Sequence, residues 1–358
     1  MTRDLKTQDA RWMEVALEEA ARGVGLTRPN PPVGAVLVRN GKIIGRGFHP
    51  KAGKPHAEIL ALREAGAAAQ GATLYVTLEP CCTQGRTPPC TEAIIRSGIR
   101  RVVYGCVDPN PAHAGRADRL LTKAGIQVAA GVLEEPCREL ILPFATRIRE
   151  GRPYVTLKLA CSLDGRIADA AGTSKWITGD AARQAVQELR RTADAILVGA
   201  ETLREDDPSL LPRPARGRKP WRVIVAGRRP LPKQARVFTD GHEERTLVVA
   251  DRHLRIPGVR CLRVAGSRGR VAMPAVLRAL SELDCLHVVC EGGGVLAQSL
   301  LKAGLVDELW MFYAPLMLGG DARASVAGRG WKLGEAPAFT ITGVLQTGND
   351  VLIKARRR

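Results

Sequence analysis

Between residues 33 and 130 short apolar runs alternate with stretches of helical periodicity, and that alternation excludes most architectures. Residues 33–38 and 43–47 read as strands joined by Asn40-Gly41, a two-residue hairpin signal. They follow an N-terminal helix carrying Trp12, Met13, Ala16, Leu17, Ala20 and Ala21, with Gly23 as its stop. A helix over 56–65, a strand over 73–78, a helix near 91–97, a strand over 101–105, a helix over 116–124 and a strand over 126–130 complete the series. Strands alternating with helices predict an α/β fold whose sheet is covered on both faces.

The pattern then restarts. A helical stretch over 134–149 leads to Glu150-Gly-Arg-Pro153, which reads as a linker. The expected domains are therefore 1–149 and 150–358, in line with the ~100–200 residues usual for one domain. The second half offers strands over 154–160, 193–198, 222–226 and 246–250 and a helix over 180–191. Near its end, the run Leu286-His-Val-Val-Cys290 passes into Glu291-Gly-Gly-Gly294 and a helix over 295–303. A buried strand, glycines and a helix start are what a phosphate-binding helix N-terminus requires, although a short glycine run is also an ordinary structural turn. It is not G-x-G-x-x-G, so a dinucleotide fold of the Rossmann kind is not indicated.

Apolar residues make up 45% of the chain and charged residues 25%, which excludes a disordered or fibrous protein. No apolar run reaches the ~20 residues that span a bilayer, and the first ten residues lack a signal-peptide core. A cytoplasmic protein with no membrane partner is expected. The nine cysteines are an odd count in a long chain, which argues against a disulfide framework. Cys82, Cys106, Cys137, Cys161, Cys261, Cys285 and Cys290 read as buried inert thiols. The net charge of +18, of which +12 falls after residue 150, raises the question of a polyanionic partner. The densest basic run, 213–222, contains prolines and reads as an exposed loop, and aromatics at 4% disfavour recognition by stacked bases.

Three residues suggest chemistry. His56-Ala-Glu58 opens a helix, Pro80-Cys81 follows a strand, and Pro88-Pro-Cys90 opens the next helix. One imidazole and two thiolates leave the fourth position of a tetrahedral zinc open, as a catalytic site needs. Zinc lowers the pKa of its water from ~16 to ~7, and Glu58, two residues from the ligand histidine, is placed to carry the proton. Zinc deaminases combine H-x-E with P-C-x-x-C, whereas here the second cysteine comes nine positions on. A structural zinc with Cys82 as fourth ligand is the alternative, though adjacent cysteines poorly share one tetrahedral ion.

Asn30-Pro-Pro-Val-Gly-Ala-Val-Leu-Val38, Gly47-Phe-His49, His56-Ala-Glu58 and Thr77-Leu-Glu-Pro-Cys81 through Gly85-Arg-Thr-Pro-Pro-Cys90 closely resemble the bifunctional pyrimidine deaminase/reductases of riboflavin biosynthesis. The resemblance covers essentially the whole chain. It implies a cytidine-deaminase-like three-layer α/β/α domain followed by a dihydrofolate-reductase-like α/β domain. It also implies zinc on His56, Cys81 and Cys90, Glu58 as proton shuttle, substrate contacts from Asn30 and His49, and Arg86 near the substrate phosphate. The family often carries a histidine two residues after the first cysteine, where this chain has Thr83, which can still donate a hydrogen bond to the phosphate.

Leu157-Lys-Leu-Ala-Cys-Ser-Leu-Asp-Gly-Arg-Ile-Ala168, Ser174-Lys-Trp-Ile-Thr178, Asp194-Ala-Ile-Leu-Val-Gly199 and Thr202-Leu-Arg-Glu-Asp-Asp-Pro208 resemble the reductase half of the same family. The resemblance implies NADPH bound by Lys158, Ser174, Trp176, Thr202, Asp206 and Gly292, Gly293 and Gly294, with Trp176, Arg190, Asp206, Arg213 and Glu291 on the substrate. Without it, Trp176 reads as core, Arg190 as a solvated helix face and Asp206-Asp-Pro208 as a turn. Gln187 replaces a histidine common in the family.

The expected reactions are hydrolytic deamination of a diaminopyrimidinone ribosylamine 5′-phosphate and reduction of its ribosyl group to ribityl. The expected partner is a phosphorylated pyrimidine small molecule, with no nucleic acid and with a homo-oligomeric assembly. A zinc deaminase directed at RNA or a nucleotide, with a basic accessory domain, is the rival reading: the +12 of the second half favours it, and the scarcity of aromatics and the reductase motifs oppose it. A zinc-stabilised scaffold without catalysis is the third.

Overall fold

The computed structural model describes residues 3–358 except Arg86, Arg216 and Arg268. The chain divides into two compact units, Met1–Gly151 and Arg152–Arg358. Among the described residues no helix is long and apolar enough to cross a membrane.

In the first unit, helix α1 (Arg3–Ala21) precedes β1 (Gly34–Arg39) and β2 (Lys42–Phe48). Then come α2 (Ala57–Ala65), β3 (Thr73–Leu78), α3 (Cys90–Arg96), β4 (Arg101–Cys106), α4 (Arg116–Lys123), β5 (Gln127–Ala130), α5 (Glu134–Leu140) and α6 (Leu142–Glu150). The strands form one sheet in the order β2-β1-β3-β4-β5, antiparallel across β1 and parallel from β3 to β5. Asn40 and Gly41, with φ of 51° and 69°, make the tight turn expected between β1 and β2.

Side chains alternate along each strand. Ala35 and Leu37 join Leu74, Val76, Val102 and Tyr104 against α2, α3 and α4. Val36 and Val38 join Tyr75 and Val103 against Trp12, Met13 and Ala16 of α1 and Cys137 of α5. The result is three layers, α/β/α. Helix α2 lies unusually close to β2 because Gly47 has no side chain: a Cβ there would stand 2.3 Å from the Ala57 carbonyl oxygen. That contact fixes the first turn of α2, which holds His56 and Glu58.

The second unit opens with β6 (Tyr154–Ser162), β7 (Arg166–Ala168), α7 (Asp180–Thr192), β8 (Ala195–Gly199), α8 (Ala200–Asp206), β9 (Trp221–Val225), β10 (Thr246–Ala250) and β11 (Arg260–Arg263). It continues through the short strands β12 (Gly266–Ser267) and β13 (Arg270–Val271), α9 (Met273–Glu282), β14 (His287–Cys290), α10 (Gly294–Lys302), β15 (Glu308–Ala314), β16 (Arg323–Ala324), β17 (Phe339–Thr347) and β18 (Asp350–Arg357). Nine strands form one sheet, β11-β10-β9-β8-β14-β6-β15-β18-β17, parallel as far as β15 and antiparallel beyond. Helices α9 and α10 cover one face, packing Val276, Leu280 and Leu300 on Leu157, Leu197 and Val288. Leu189 of α7 and Leu203 of α8 pack on Ile196, Val198 and Ile224 across the other.

Several sequence expectations need correction. The stretch 134–149 is two helices, broken at Ile141 just before Pro143. The stretch 150–153 is exposed at Glu150 and Gly151, whereas Arg152 is buried and grips Asp307 through two hydrogen bonds of 2.6 and 2.8 Å. Asp206 closes α8 instead of opening a turn, with Asp207 in the left-handed region after it. Cys82 and Cys261 are half-buried, unlike the other five cysteines expected in the core.

Candidate active sites

In the first unit the metal-ligand candidates converge from three helix and strand ends. His56 is the N-cap of α2, Cys81 follows β3, and Cys90 is the first residue of α3. Their ligand atoms all lie within 4.8 Å of one another. His56 Nδ1 is 3.5 Å from Cys81 Sγ and 3.3 Å from Cys90 Sγ, close to the ~3.5 Å edge that tetrahedral zinc bonds of ~2.1 and ~2.3 Å produce. The backbone N–H of Cys90 donates to Cys81 Sγ at 3.3 Å, so α3 begins by steadying the other thiol. The donor set and its spacing fit zinc. The hydrogen bond with Cys90 lowers the Cys81 pKa, and the same contact raises that of Cys90.

Glu58 is 3% exposed, on the first turn of α2 in hydrogen-bond contact with Cys90, and burial pushes its pKa up against the opposing charge of His56. His49, buried at the end of β2, has Nδ1 3.1 Å from the Pro55 carbonyl oxygen. With Nδ1–H donated there, Nε2 is left to accept from the Asn30 amide at 3.1 Å. Burial lowers the His49 pKa. Its ring meets His56 edge-on at 5.0 Å, so Asn30, His49 and His56 form one continuous wall. Arg86 lies outside the described residues.

The sequence reading missed two supports. Thr87 Oγ1 lies 3.4 Å from His56 Nε2. Glu79 is buried, and its carboxylate accepts the backbone N–H groups of Asp108, Gly115 and Ala117 at 3.3, 3.0 and 3.0 Å. The available signal was a carboxylate wedged between an apolar strand and a ligand cysteine.

In the second unit Lys158, Ser174, Trp176, Arg190, Thr202, Asp206, Arg213, Glu291 and Gly292–Gly294 all line one cleft of about 1880 Å³. Lys158 comes from β6, Arg190 from α7, Thr202 and Asp206 from α8, Gly292 and Gly293 from the turn between β14 and α10, and Gly294 from the first position of α10. Trp176 is 68% exposed with the Arg183 guanidinium over its ring at 4.8 Å, so the residues-only reading as core is wrong. Arg190 is not a solvated helix face either. Its Nε and Nη2 donate to Glu291 at 2.6 and 2.9 Å, and Nη1 to the Leu211 carbonyl at 3.3 Å.

Burial works against ionised Glu291, but Arg190 and Lys158 outweigh it and hold its pKa below the usual carboxylate value. Desolvation lowers the pKa of Lys158. Ser174 Oγ donates to Asp206 Oδ1 at 3.1 Å, and Lys175 Nζ to the Asp206 carbonyl at 2.9 Å. Gln187, which departs from the family pattern, accepts the Arg213 backbone N–H at 2.8 Å and so anchors the loop carrying that arginine. At the glycine turn, Gly293 has nothing within 4 Å of where a Cβ would stand. That open cradle at a helix start, with cationic side chains around the cleft, fits a phosphate-bearing dinucleotide.

Residues 6–106 match the zinc-binding region of cytidine and deoxycytidylate deaminases, and residues 153–353 match the RibD C-terminal domain. The chain is 46% identical over 318 residues to the riboflavin biosynthesis protein RibD of Aquifex aeolicus, covering 87% of this chain and 88% of that one. Against RibD of Escherichia coli it is 41% identical over 361 residues, with 97% and 98% covered. Among solved structures, RibD of Acinetobacter baumannii superposes with a TM-score of 0.89 at 40% identity, covering 99% of each chain. A diaminohydroxyphosphoribosylaminopyrimidine deaminase/5-amino-6-(5-phosphoribosylamino)uracil reductase from Thermotoga maritima gives 0.88 at 37%, again covering 99% of each. The first unit thus has the cytidine-deaminase-like fold and the second the dihydrofolate-reductase-like fold of the RibD C-terminal domain. With both halves matched and the whole length aligned, the chain belongs to the RibD family of riboflavin-biosynthesis proteins.

Proposed function

We propose that the two sites act in succession on one phosphorylated pyrimidine, the first removing an amine and the second reducing the sugar. The chain is a bifunctional enzyme of riboflavin biosynthesis, a zinc-dependent deaminase joined to an NADPH-dependent reductase. Our reading of the substrate is a diaminopyrimidinone ribosylamine 5′-phosphate. The observation that carries it is the convergence of His56, Cys81 and Cys90 beside buried Glu58.

Zinc on those three ligands supplies a Lewis acid and an acidified water. Glu58 would carry both protons of that water in turn, one to the ring nitrogen as the oxygen bonds to the amine-bearing carbon and one to the amine as its C–N bond breaks to release ammonia. Asn30 and His49 hold the pyrimidine against this wall, and Arg86 takes the phosphate. We assign this step to residues 1–149 and reduction to 150–358, supported by the compact units Met1–Gly151 and Arg152–Arg358.

NADPH supplies a hydride to the sugar carbon that bears the amine. Such a hydride, with the ring C–O bond broken and a proton taken up by the sugar oxygen, would give the ribityl chain. Lys158, Ser174, Thr202 and Gly292–Gly294 hold the cofactor, with Trp176 and Asp206 between it and the substrate. Arg190 keeps Glu291 ionised and oriented toward the sugar, and Arg213 reaches its phosphate.

A homo-oligomer is part of this reading. The edge strand β17 exposes Ile341 and Val344 at 62% and 63%, an apolar edge suited to a second copy. Nucleic acid is not a partner in it, because several arginines are committed internally: Arg101 to Asp9, Arg152 to Asp307 and fully buried Arg222 to Asp240. We place the enzyme in the cytoplasm, whose reducing conditions suit a long chain with an odd number of cysteines. Incubating the enzyme with the diaminopyrimidinone substrate, with and without NADPH, and weighing the products tests both halves. Deamination alone without NADPH and a ribityl product with it are expected; a substrate left intact in both refutes the reading.

A further inference from the structure

The deaminase site holds one imidazole that the reading above does not use. His113 lies in the loop between β4 and α4, half-buried, with Nδ1 3.4 Å from Thr83 Oγ1 and 3.7 Å from Cys82 Sγ. Among the described residues its Nε2 has no hydrogen-bond partner. Thr83 and Cys82 belong to the segment that carries the Cys81 ligand and leads through Arg86 to Cys90. An imidazole docked on that segment, one nitrogen anchored and the other free, is built as a donor toward whatever the segment binds.

The loop is fixed in place. Buried Glu79 ties the N–H groups of Asp108, Gly115 and Ala117 to the residue immediately before Pro80-Cys81. Inside the loop Asn110 N–H donates to Asp108 Oδ1 at 2.8 Å, Ala112 N–H to Asn110 Oδ1 at 3.0 Å, and His113 N–H to the Asn110 carbonyl at 2.9 Å. The backbone under His113 is therefore held by its own hydrogen bonds, and Glu79 ties the loop with the imidazole to the segment with the zinc ligands. The sequence departs from its family at position 83, where a hydroxyl replaces a histidine, and the structure sets another histidine against that hydroxyl.

We propose that His113 supplies from the neighbouring loop the imidazole that position 83 lacks, and that it binds the phosphate end of the deaminase substrate. This rests on the deaminase reading above. Thr83 orients the ring through Nδ1, and Nε2–H donates to a phosphate oxygen, a hydrogen bond between charged or polar groups that is sensitive to the phosphate and not to the reacting ring. His113 is a substrate-positioning residue and takes no part in proton transfer at the amine.

The test compares ammonia release from the phosphorylated substrate and from its dephosphorylated form, using the full-length zinc-loaded enzyme. For His113→Ala, KM for the phosphorylated substrate should rise about ten- to a hundredfold with little change in kcat, the range of one hydrogen bond to a charged group. The dephosphorylated substrate should be turned over as by the wild type. Competitive inhibition by inorganic phosphate should weaken in parallel. The double variant Thr83→His/His113→Ala, which moves the imidazole back across the contact, should recover most of the lost KM. If His113→Ala depresses both substrates equally, the histidine only supports the loop and the inference is overturned; an unchanged KM overturns it as well. Wild-type enzyme that releases no ammonia refutes the deaminase reading itself, a result distinct from either.

Discussion

Replacing Arg190 with alanine should strongly destabilise the second unit, and the size of the effect should depend on pH. Arg190 and Glu291 are 13% and 9% exposed and meet through two hydrogen bonds. Truncating one partner of such a pair leaves a buried charge uncompensated, at a cost of about 3–5 kcal/mol. For a unit of this length, Arg152–Arg358, each kcal/mol moves the melting temperature by roughly 2–4 °C, so a drop of about 6–20 °C is expected at neutral pH. In the wild type the Glu291 pKa is held below its ordinary 4.5, so the pair's contribution is complete above that value and is lost as pH falls through the folded-state pKa. In the variant, burial is opposed only by Lys158, and the Glu291 pKa rises. The penalty is then largest near neutral pH and shrinks as Glu291 takes up a proton. Differential scanning calorimetry of the full chain without NADPH, at pH 7.5 and pH 4.5, reads the gap between wild type and variant. A gap below ~1 kcal/mol at pH 7.5, or one that does not narrow at pH 4.5, refutes the reasoning. So does an Arg190→Met/Glu291→Leu double variant as unstable as the two single losses added together, since removing both charges should recover much of the cost.

Three further outcomes follow from the geometry. Glu58→Gln should reduce ammonia release by at least the ~10²–10⁴-fold typical of a lost acid–base group while the NADPH-dependent step continues on pre-deaminated substrate, as followed by nicotinamide absorbance. Trp176→Ala should leave the melting temperature within the small range of a surface substitution yet raise KM for NADPH or substrate in the reductase assay, because its ring is exposed in the cleft and not in the core. His287, whose pKa burial lowers to about 4, should cost stability as pH falls from 6.5 through 4, up to about 3 kcal/mol. His287→Asn should flatten that slope in urea midpoints measured across the range.

The deaminase site was legible in the sequence because its parts are punctuated locally. His56 precedes a helix, Cys81 follows a strand behind a proline, and Cys90 starts a helix behind two. Each ligand sits where the chain changes direction, and each change of direction has its own residue signature. The place of Glu58 on the first turn of α2, in contact with Cys90, followed from its distance to His56. What the sequence hid was the work of groups distant along the chain. Nothing local tells that Glu79 will collect three backbone donors from residues 108–117, or that His113 will meet Thr83 across a gap of thirty positions.

The reductase cleft shows why resemblance was needed there. Its floor depends on the order of strands in the sheet, and that order is not the order of the chain. Strand β14 inserts between β8 and β6, pairing Cys290 with both Leu197 and Leu157. That register puts Glu291, just past the carboxyl end of β14, beside Lys158 in the middle of the neighbouring parallel strand β6, 133 positions earlier. Crevices outside the carboxyl ends of parallel strands are where α/β sheets bind ligands. Periodicity identifies each of these strands but carries no information about which becomes whose neighbour. Arg190 therefore read as surface, and Glu291 as the start of a turn, until the sheet order faced them toward each other. The strands β15, β17 and β18 complete the same sheet, and the β15–β18 pairing sets Trp310 opposite Lys354, whose ammonium lies 4.0 Å from the ring centre. A site spread over strands that are adjacent only in space can be inferred from sequence only through relatives whose sheet order is already known.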